Sequence, residues 1–106
     1  MTIVELITMA IESRKPICFE YDGVKKITGQ RFGHPYAVFL QPGTNNACVD
    51  IYQTHGVSHR GGLPDWRTAK IENISSVLIL EEKDCFEIEV RYNPNSPKYI
   101  KVIKKV

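Results

Sequence analysis

The 106-residue chain lacks the features that define several large classes of protein. It has no apolar run near the ~18 residues of a membrane-spanning helix, so we expect no membrane contact. Its start, MTIVELITMA, has no basic stretch ahead of an apolar one, so we expect no signal peptide. The net charge of +2 is too small to indicate nucleic acid by itself. What remains is one domain of ordinary globular composition, with 42% hydrophobic and 25% charged residues.

Cysteine is also scarce. Cys18, Cys48 and Cys85 are odd in number, widely spaced and without a CxxC pair, which argues against a disulfide framework and a structural zinc site. Each cysteine lies in an apolar segment that has the pattern of a strand. We therefore predict three reduced core cysteines and a cytoplasmic protein.

Signatures of catalysis are missing as well. The chain contains no P-loop, no dinucleotide fingerprint and no GxSxG elbow. Ser58 with His55 or His59 and Asp50 or Asp65 has the composition of a triad, but HGVSH places the serine in a glycine loop. The two histidines lack a fixed third ligand for zinc. The sequence predicts no enzyme activity, no cofactor and no metal site.

What the sequence does contain begins with one helical stripe. Apolar side chains recur at helical spacing at Ile3, Leu6, Ile7, Ala10 and Ile11. Thr2 and Glu5 have the spacing of a capping box, and Pro16 ends the pattern. We therefore predict a helix over residues 3–14.

Short strand patterns fill residues 17–80, separated by turn signals and by the polar loop HGVSHRGGLPD. We predict about five strands, near 17–21, 25–32, 47–54, 66–71 and 77–80. Residues 36–40 either continue the second of these strands after a bend or form a separate strand. Residues 85–92 alternate and permit another strand. Ser96-Pro97 resembles a helix start, and apolar side chains at 99, 102, 103 and 106 have helical spacing, so we predict a C-terminal helix, although Ile100 and Val102 also permit a strand. The predicted fold is α+β, a small antiparallel β-barrel with a helix at each end of the chain.

Four short motifs within residues 3–80 resemble one family. A helix ending in a basic residue leads into a strand in ELITMAIESRKPICFEYDG, and Arg31 precedes Pro35 in QRFGHPYAVFL. Tyr52 precedes a glycine turn in VDIYQTHG, and WRTAKIENISSVLIL joins a basic-aromatic strand to a Val-rich one. In this order the motifs resemble the WYL-domain family of small SH3/Sm-like barrels, whose namesake tripeptide is replaced here by residues 47–49. The resemblance implies a single stand-alone domain over 1–106, with helix 3–14, strands over about 17–80 and a tail over 85–106.

The resemblance also implies a function. WYL modules are regulatory sensors, mostly of bacterial transcription factors and phage-defence systems, thought to bind an anionic ligand, a nucleotide or single-stranded nucleic acid. The positions that match their basic surface are Arg31, Arg67 and Lys70, with Tyr52 as the neighbouring aromatic residue.

The residues themselves add to this interpretation and leave alternatives open. His59 and Arg60 precede two glycines and could form a backbone nest for an anion. Strand alternation places Arg67 on the face opposite Trp66 and Lys70, and an inward Arg67 needs an anionic partner or a buried acceptor. The aromatic residues could equally be core, and the arginines solvated.

We therefore predict a non-catalytic module that binds an anionic ligand. The alternative is a protein-interaction or accessory subunit that forms a homodimer or pairs with a protein partner through an edge strand. In that case the acidic face of residues 85–92 could meet the Lys-rich tail of a second copy.

Overall fold

The computed structural model describes residues 1–22, 29–58 and 62–106. One helix precedes six strands: α1 (Ile3–Ser13), β1 (Ile17–Tyr21), β2 (Gln30–Leu40), β3 (Ala47–Gly56), β4 (Asp65–Lys70), β5 (Ile74–Ile79) and β6 (Lys101–Lys105). The strands form one antiparallel sheet in the order β4-β3-β2-β1-β5, and β6 adds to β2. Among the described strands, β4 and β5 pair with one neighbour each, so the sheet is not closed. The predicted α+β class is confirmed, whereas the predicted closure into a barrel is not.

The first helix begins and ends where the sequence predicts, within one residue. The Glu5 N–H donates to Thr2 Oγ1 over 3.1 Å, and the Thr2 N–H donates to Glu5 Oε1 over 2.9 Å, which completes the capping box. Arg14 then takes a left-handed conformation with φ of 53° and ends the helix. The buried side of α1 packs against the sheet.

The long strand β2 passes through the proline that was expected to interrupt it. A β-bulge lies between Pro35 and Ala37, where the register with β3 shifts. The bulge lets the strand continue although proline has no N–H to donate. Residues 36–40 are therefore the continuation of β2. Residues 25–28 of the second predicted strand lie outside the described residues.

The predicted C-terminal helix is wrong. Pro97–Tyr99 form one turn of 3-10 helix, and Lys101–Lys105 then form β6. The reason lies in β2, whose residues 30–33 pair with β1 and whose residues 37–40 extend beyond it. Backbone groups in that second half need partners, and β6 supplies them.

Residues 81–99, which we call the strap, lie across the sheet without forming an α-helix or a strand. The Phe86 ring stacks on His34 with centroids 4.6 Å apart, and the Tyr36 hydroxyl accepts a hydrogen bond from the Glu89 N–H over 2.8 Å. The additional strand permitted over 85–92 does not form. Cys85 is exposed there, so the prediction of a buried cysteine is wrong for it, whereas Cys18 and Cys48 are buried.

The strap and α1 cover opposite faces of the sheet. Buried apolar side chains from α1 and the strands fill one face, the helix face: Ile7, Ala10, Ile11, Ile17, Phe19, Val38, Val49, Ile51, Ala69 and Ile74. The other face, the strap face, has a smaller cluster: Ala37, Phe39, Cys48 and Tyr99. Within the described ranges, no helix is long and apolar enough to cross a membrane.

Candidate functional site

Two arginines singled out from the sequence lie on the helix face. Arg31 pairs with Phe19 across β1 and β2, and Arg67 pairs with Ile51 across β3 and β4. Cross-strand partners point to the same face, and both partners belong to the helix-face core. The predicted separation of Arg67 from Lys70 is confirmed as well, because Lys70 pairs with Cys48 of the strap face.

Arg31 is a buried cation with an unmet donor. Only 7% of its surface is exposed, and its Nε has no hydrogen-bond partner among the described residues. Burial lowers the pKa of the Arg31 guanidinium; the Tyr21 ring, 5.2 Å from the guanidinium carbon, opposes that shift, and the positive charge of Arg67 adds to it. An arginine stays protonated despite such a shift, so the positive charge remains beneath the surface.

Arg67, unlike Arg31, has several polar neighbours that contact its guanidinium. Its side chain is 12% exposed and its Nη1 lies 3.1 Å from Asp65 Oδ2. The same nitrogen donates to the Trp66 carbonyl over 2.9 Å, and Nη2 lies 3.5 Å from the Ser58 hydroxyl. The sequence argument that an inward Arg67 needs an anionic partner or a buried acceptor agrees with this arrangement, in which Asp65 supplies the anion and the Trp66 carbonyl accepts a hydrogen bond.

A buried glutamine adds an unmet acceptor to the same face. Gln53 is fully buried and pairs with Gly33 and Asp65 on the two neighbouring strands. Its amide nitrogen donates to the Val57 carbonyl over 2.9 Å, while its Oε1 has no partner among the described residues. Sequence reasoning missed Gln53; the available signal was a polar side chain on the inward side of the apolar segment VDIYQ.

The other predicted site residues do not join the arginines. Tyr52 pairs with Trp66 on the strap face, with ring centroids 5.3 Å apart, so it does not lie beside Arg31 or Arg67. Lys70 is exposed on the strap face. His59 and Arg60 lie outside the described residues.

The candidate triad is not assembled among the described residues. The His55 ring stacks on Phe32 with centroids 4.3 Å apart, and its Nδ1 lies 3.0 Å from the Thr54 hydroxyl. The Asp65 carboxylate pairs with Arg67, and the Asp50 carboxylate belongs to a separate hydrogen-bond network on the strap face. In the parts of the chain that the structure describes, no group of three or more His, Cys, Asp or Glu side chains could hold a metal ion.

That network, the aspartate network, ties the strap to the sheet. Asp50 is 3% exposed on the strap face and accepts hydrogen bonds from Thr68 Oγ1 and Tyr99 OH, both over 2.6 Å. Lys98 Nζ lies 2.7 Å from its Oδ2. Burial, and then the hydrogen bond to Asp50, raise the pKa of the Tyr99 hydroxyl well above its usual range, so it remains a donor.

Next to this network is a cavity of about 360 Å³ between β3, β4 and the strap, which we call the strap cavity. The side chains that line it include Asp50, Trp66, Thr68, Arg91, Tyr92 and Lys98. The sheet thus carries the arginines on one face and an aromatic and charged cavity on the other.

Comparison of the chain with protein-family models, curated proteins and solved structures gave no match. The WYL resemblance therefore stays a prediction.

Proposed function

We propose that the protein is a non-catalytic cytoplasmic regulatory module of the WYL type, with an SH3/Sm-like arrangement of strands, which binds an anionic ligand through Arg31 and Arg67. The observation that carries this proposal is the buried Nε of Arg31, which has no partner among the described residues. Leaving such a donor unpaired costs free energy, and an anionic oxygen bound there recovers it. The guanidinium fork also matches a phosphate group.

The two unmet groups of the helix face support a nucleotide or single-stranded nucleic acid over a simple inorganic anion. Arg31 offers a donor and Gln53 offers an acceptor. A nucleotide carries both phosphate oxygens and N–H or O–H donors, so one ligand can satisfy both groups. Among the described residues, Asp65 balances the charge of Arg67 and no carboxylate pairs with Arg31, which favours an anionic group at Arg31.

The proposal is tested by fluorescence anisotropy with labelled single-stranded and duplex oligonucleotides. If two phosphates are bound, raising the salt from about 50 to about 200 mM weakens single-strand binding about sevenfold. Arg31→Met replaces the guanidinium side chain with a shorter, unbranched and uncharged one, and we expect it to weaken binding about tenfold or more. Because the wild-type charge is buried and incompletely paired, we expect Arg31→Met to fold as stably as the wild type.

The matched control is Lys83→Gln, which removes one exposed positive charge from the strap, and we expect it to bind like the wild type. Equal losses in both variants would contradict a specific site at Arg31. Absence of binding by folded protein would contradict the nucleic-acid ligand. It would favour the accessory-subunit alternative if the molar mass in solution also changed with salt.

A further inference from the structure

We propose that the strap cavity is a binding site for a small molecule that carries a flat aromatic ring and one anionic group, carboxylate or phosphate. This site lies on the strap face, opposite the arginines, and does not depend on the function proposed for them. Its volume of about 360 Å³ is near the lower end of ligand pockets, about 300–1,000 Å³, which suits a small molecule.

The aromatic side chains that line the cavity are the reason for proposing a ligand with an aromatic ring. Trp66 and Tyr92 both line it, with centroids 6.3 Å apart and planes inclined by 24°. The fully buried Tyr36 holds both rings from behind, with its centroid 4.7 Å from each. Rings fixed in this way offer stacking and edge contacts to a third ring without further ordering.

The excess of positive charge around the cavity is the reason for proposing an anionic group on the ligand. Lys98 and Arg91 supply two positive charges, and Asp50 supplies one negative charge. Asp50 is already occupied, since Thr68, Tyr99 and Lys98 all contact its oxygens. It therefore does not call for a cationic ligand.

Lys98 retains donors for the ligand. An ammonium group has three N–H donors, and the contact with Asp50 uses one of them. The Lys98 side chain is 42% exposed, so the remaining donors can be reached from the cavity. Arg91 is exposed at the rim and adds its charge there. An anionic group lying between these two cations would leave the aromatic part of the ligand against Trp66 and Tyr92.

The experiment uses the full chain and its own reporter, because Trp66 is the single tryptophan of the sequence. Tryptophan emission is titrated with four probes: benzoate, phenyl phosphate, benzyl alcohol and inorganic phosphate. We expect saturable changes with benzoate or phenyl phosphate, and at least tenfold weaker binding of the uncharged ring and of the bare anion. Whichever of benzoate and phenyl phosphate binds with the higher affinity identifies the anionic group of the ligand as a carboxylate or a phosphate.

Variants locate the site. Arg91→Gln removes one exposed cation, and we expect it to weaken the charged rings about fivefold and leave benzyl alcohol unchanged. Lys83→Gln is the control and should bind all four probes like the wild type. The proposal is overturned if no probe changes the emission, if benzyl alcohol or inorganic phosphate binds as tightly as the charged rings, or if Arg91→Gln has no effect. Loss of binding in Arg31→Met alone would place the ligand at the arginines and also overturn it.

Discussion

Gly56→Ala is expected to lower the free energy of unfolding by about 3–5 kcal/mol, from backbone strain and overpacking together. Gly56 ends β3 with φ of 102°, a conformation that other residues rarely adopt. An added Cβ would meet the Gln30 carbonyl oxygen and would lie 2.8 Å from Arg31 Cα. Both obstacles are backbone atoms of the neighbouring strand, so neither can rotate away.

Gly43→Ala separates the two causes of that loss. Gly43 also has a positive φ, 91°, but an added Cβ there meets no heavy atom within 4 Å. Its variant should lose only the conformational part, about 1–2 kcal/mol. Chemical denaturation of both variants measures the difference. Equal losses would mean that β2 and β3 do not approach as closely at Gly56 as the structure has them.

Asp50→Asn is expected to destabilise the protein by about 2–4 kcal/mol. The new amide nitrogen would replace one of the two acceptor oxygens, so the Thr68 or the Tyr99 hydroxyl would have to turn and accept, and the negative charge that Lys98 contacts would be lost. Lys98 can turn toward solvent, which limits the loss to the Thr68 hydroxyl and the buried Tyr99 hydroxyl. Asp84→Asn changes an exposed carboxylate of the strap and should stay within about 0.5 kcal/mol of the wild type. A similarly small effect of Asp50→Asn would show that the strap is held without the aspartate network.

The same network predicts how stability depends on alkaline pH. The pKa of the Tyr99 hydroxyl is higher in the folded protein than in the unfolded chain. The free energy of unfolding that this difference contributes is therefore complete below the unfolded pKa of about 10, and it is lost as the pH rises through the folded pKa. The wild type should therefore lose free energy of unfolding from about pH 10 upward. Tyr99→Phe has no proton to retain at this position, so its stability should fall less steeply over the same pH range. Parallel curves for the two proteins would contradict the buried, protonated Tyr99.

Local patterns predicted those parts of the fold that local interactions decide. The capping box and apolar stripe of α1 are contained within a few turns of chain, and β1 and β3 are short apolar segments rich in strand-forming residues. The C-terminal segment shows the opposite case. Its spacing fits a helix, but the open half of β2 provides backbone partners that outweigh that local preference.

The candidate site was predictable to a similar extent. Alternation along β4 places Arg67 and Lys70 on opposite faces, which needs only the strand itself. The separation of Tyr52 from Arg31 required the register between β2 and β3, including its shift after Phe32. The aspartate network required the path of the strap, because Tyr99 reaches Asp50 from 49 residues away.

One edge of β2 pairs with β1 over residues 30–33 and with β6 over residues 37–40, and this has a consequence for the order in which the protein folds and opens. The pairings β1–β2, β2–β3 and β3–β4 join neighbouring strands, so their loop-closure entropy is small and they can form early. The strap contacts β2 across 53 residues of sequence at Tyr36 and Glu89, and β6 docks from the far end of the chain. We therefore expect the strap and β6 to behave as a cooperative unit that detaches from the native state before the rest of the sheet. Such partial opening would dismantle the strap cavity, because Arg91, Tyr92 and Lys98 would leave with the strap, while the arginines remain in place on the helix face.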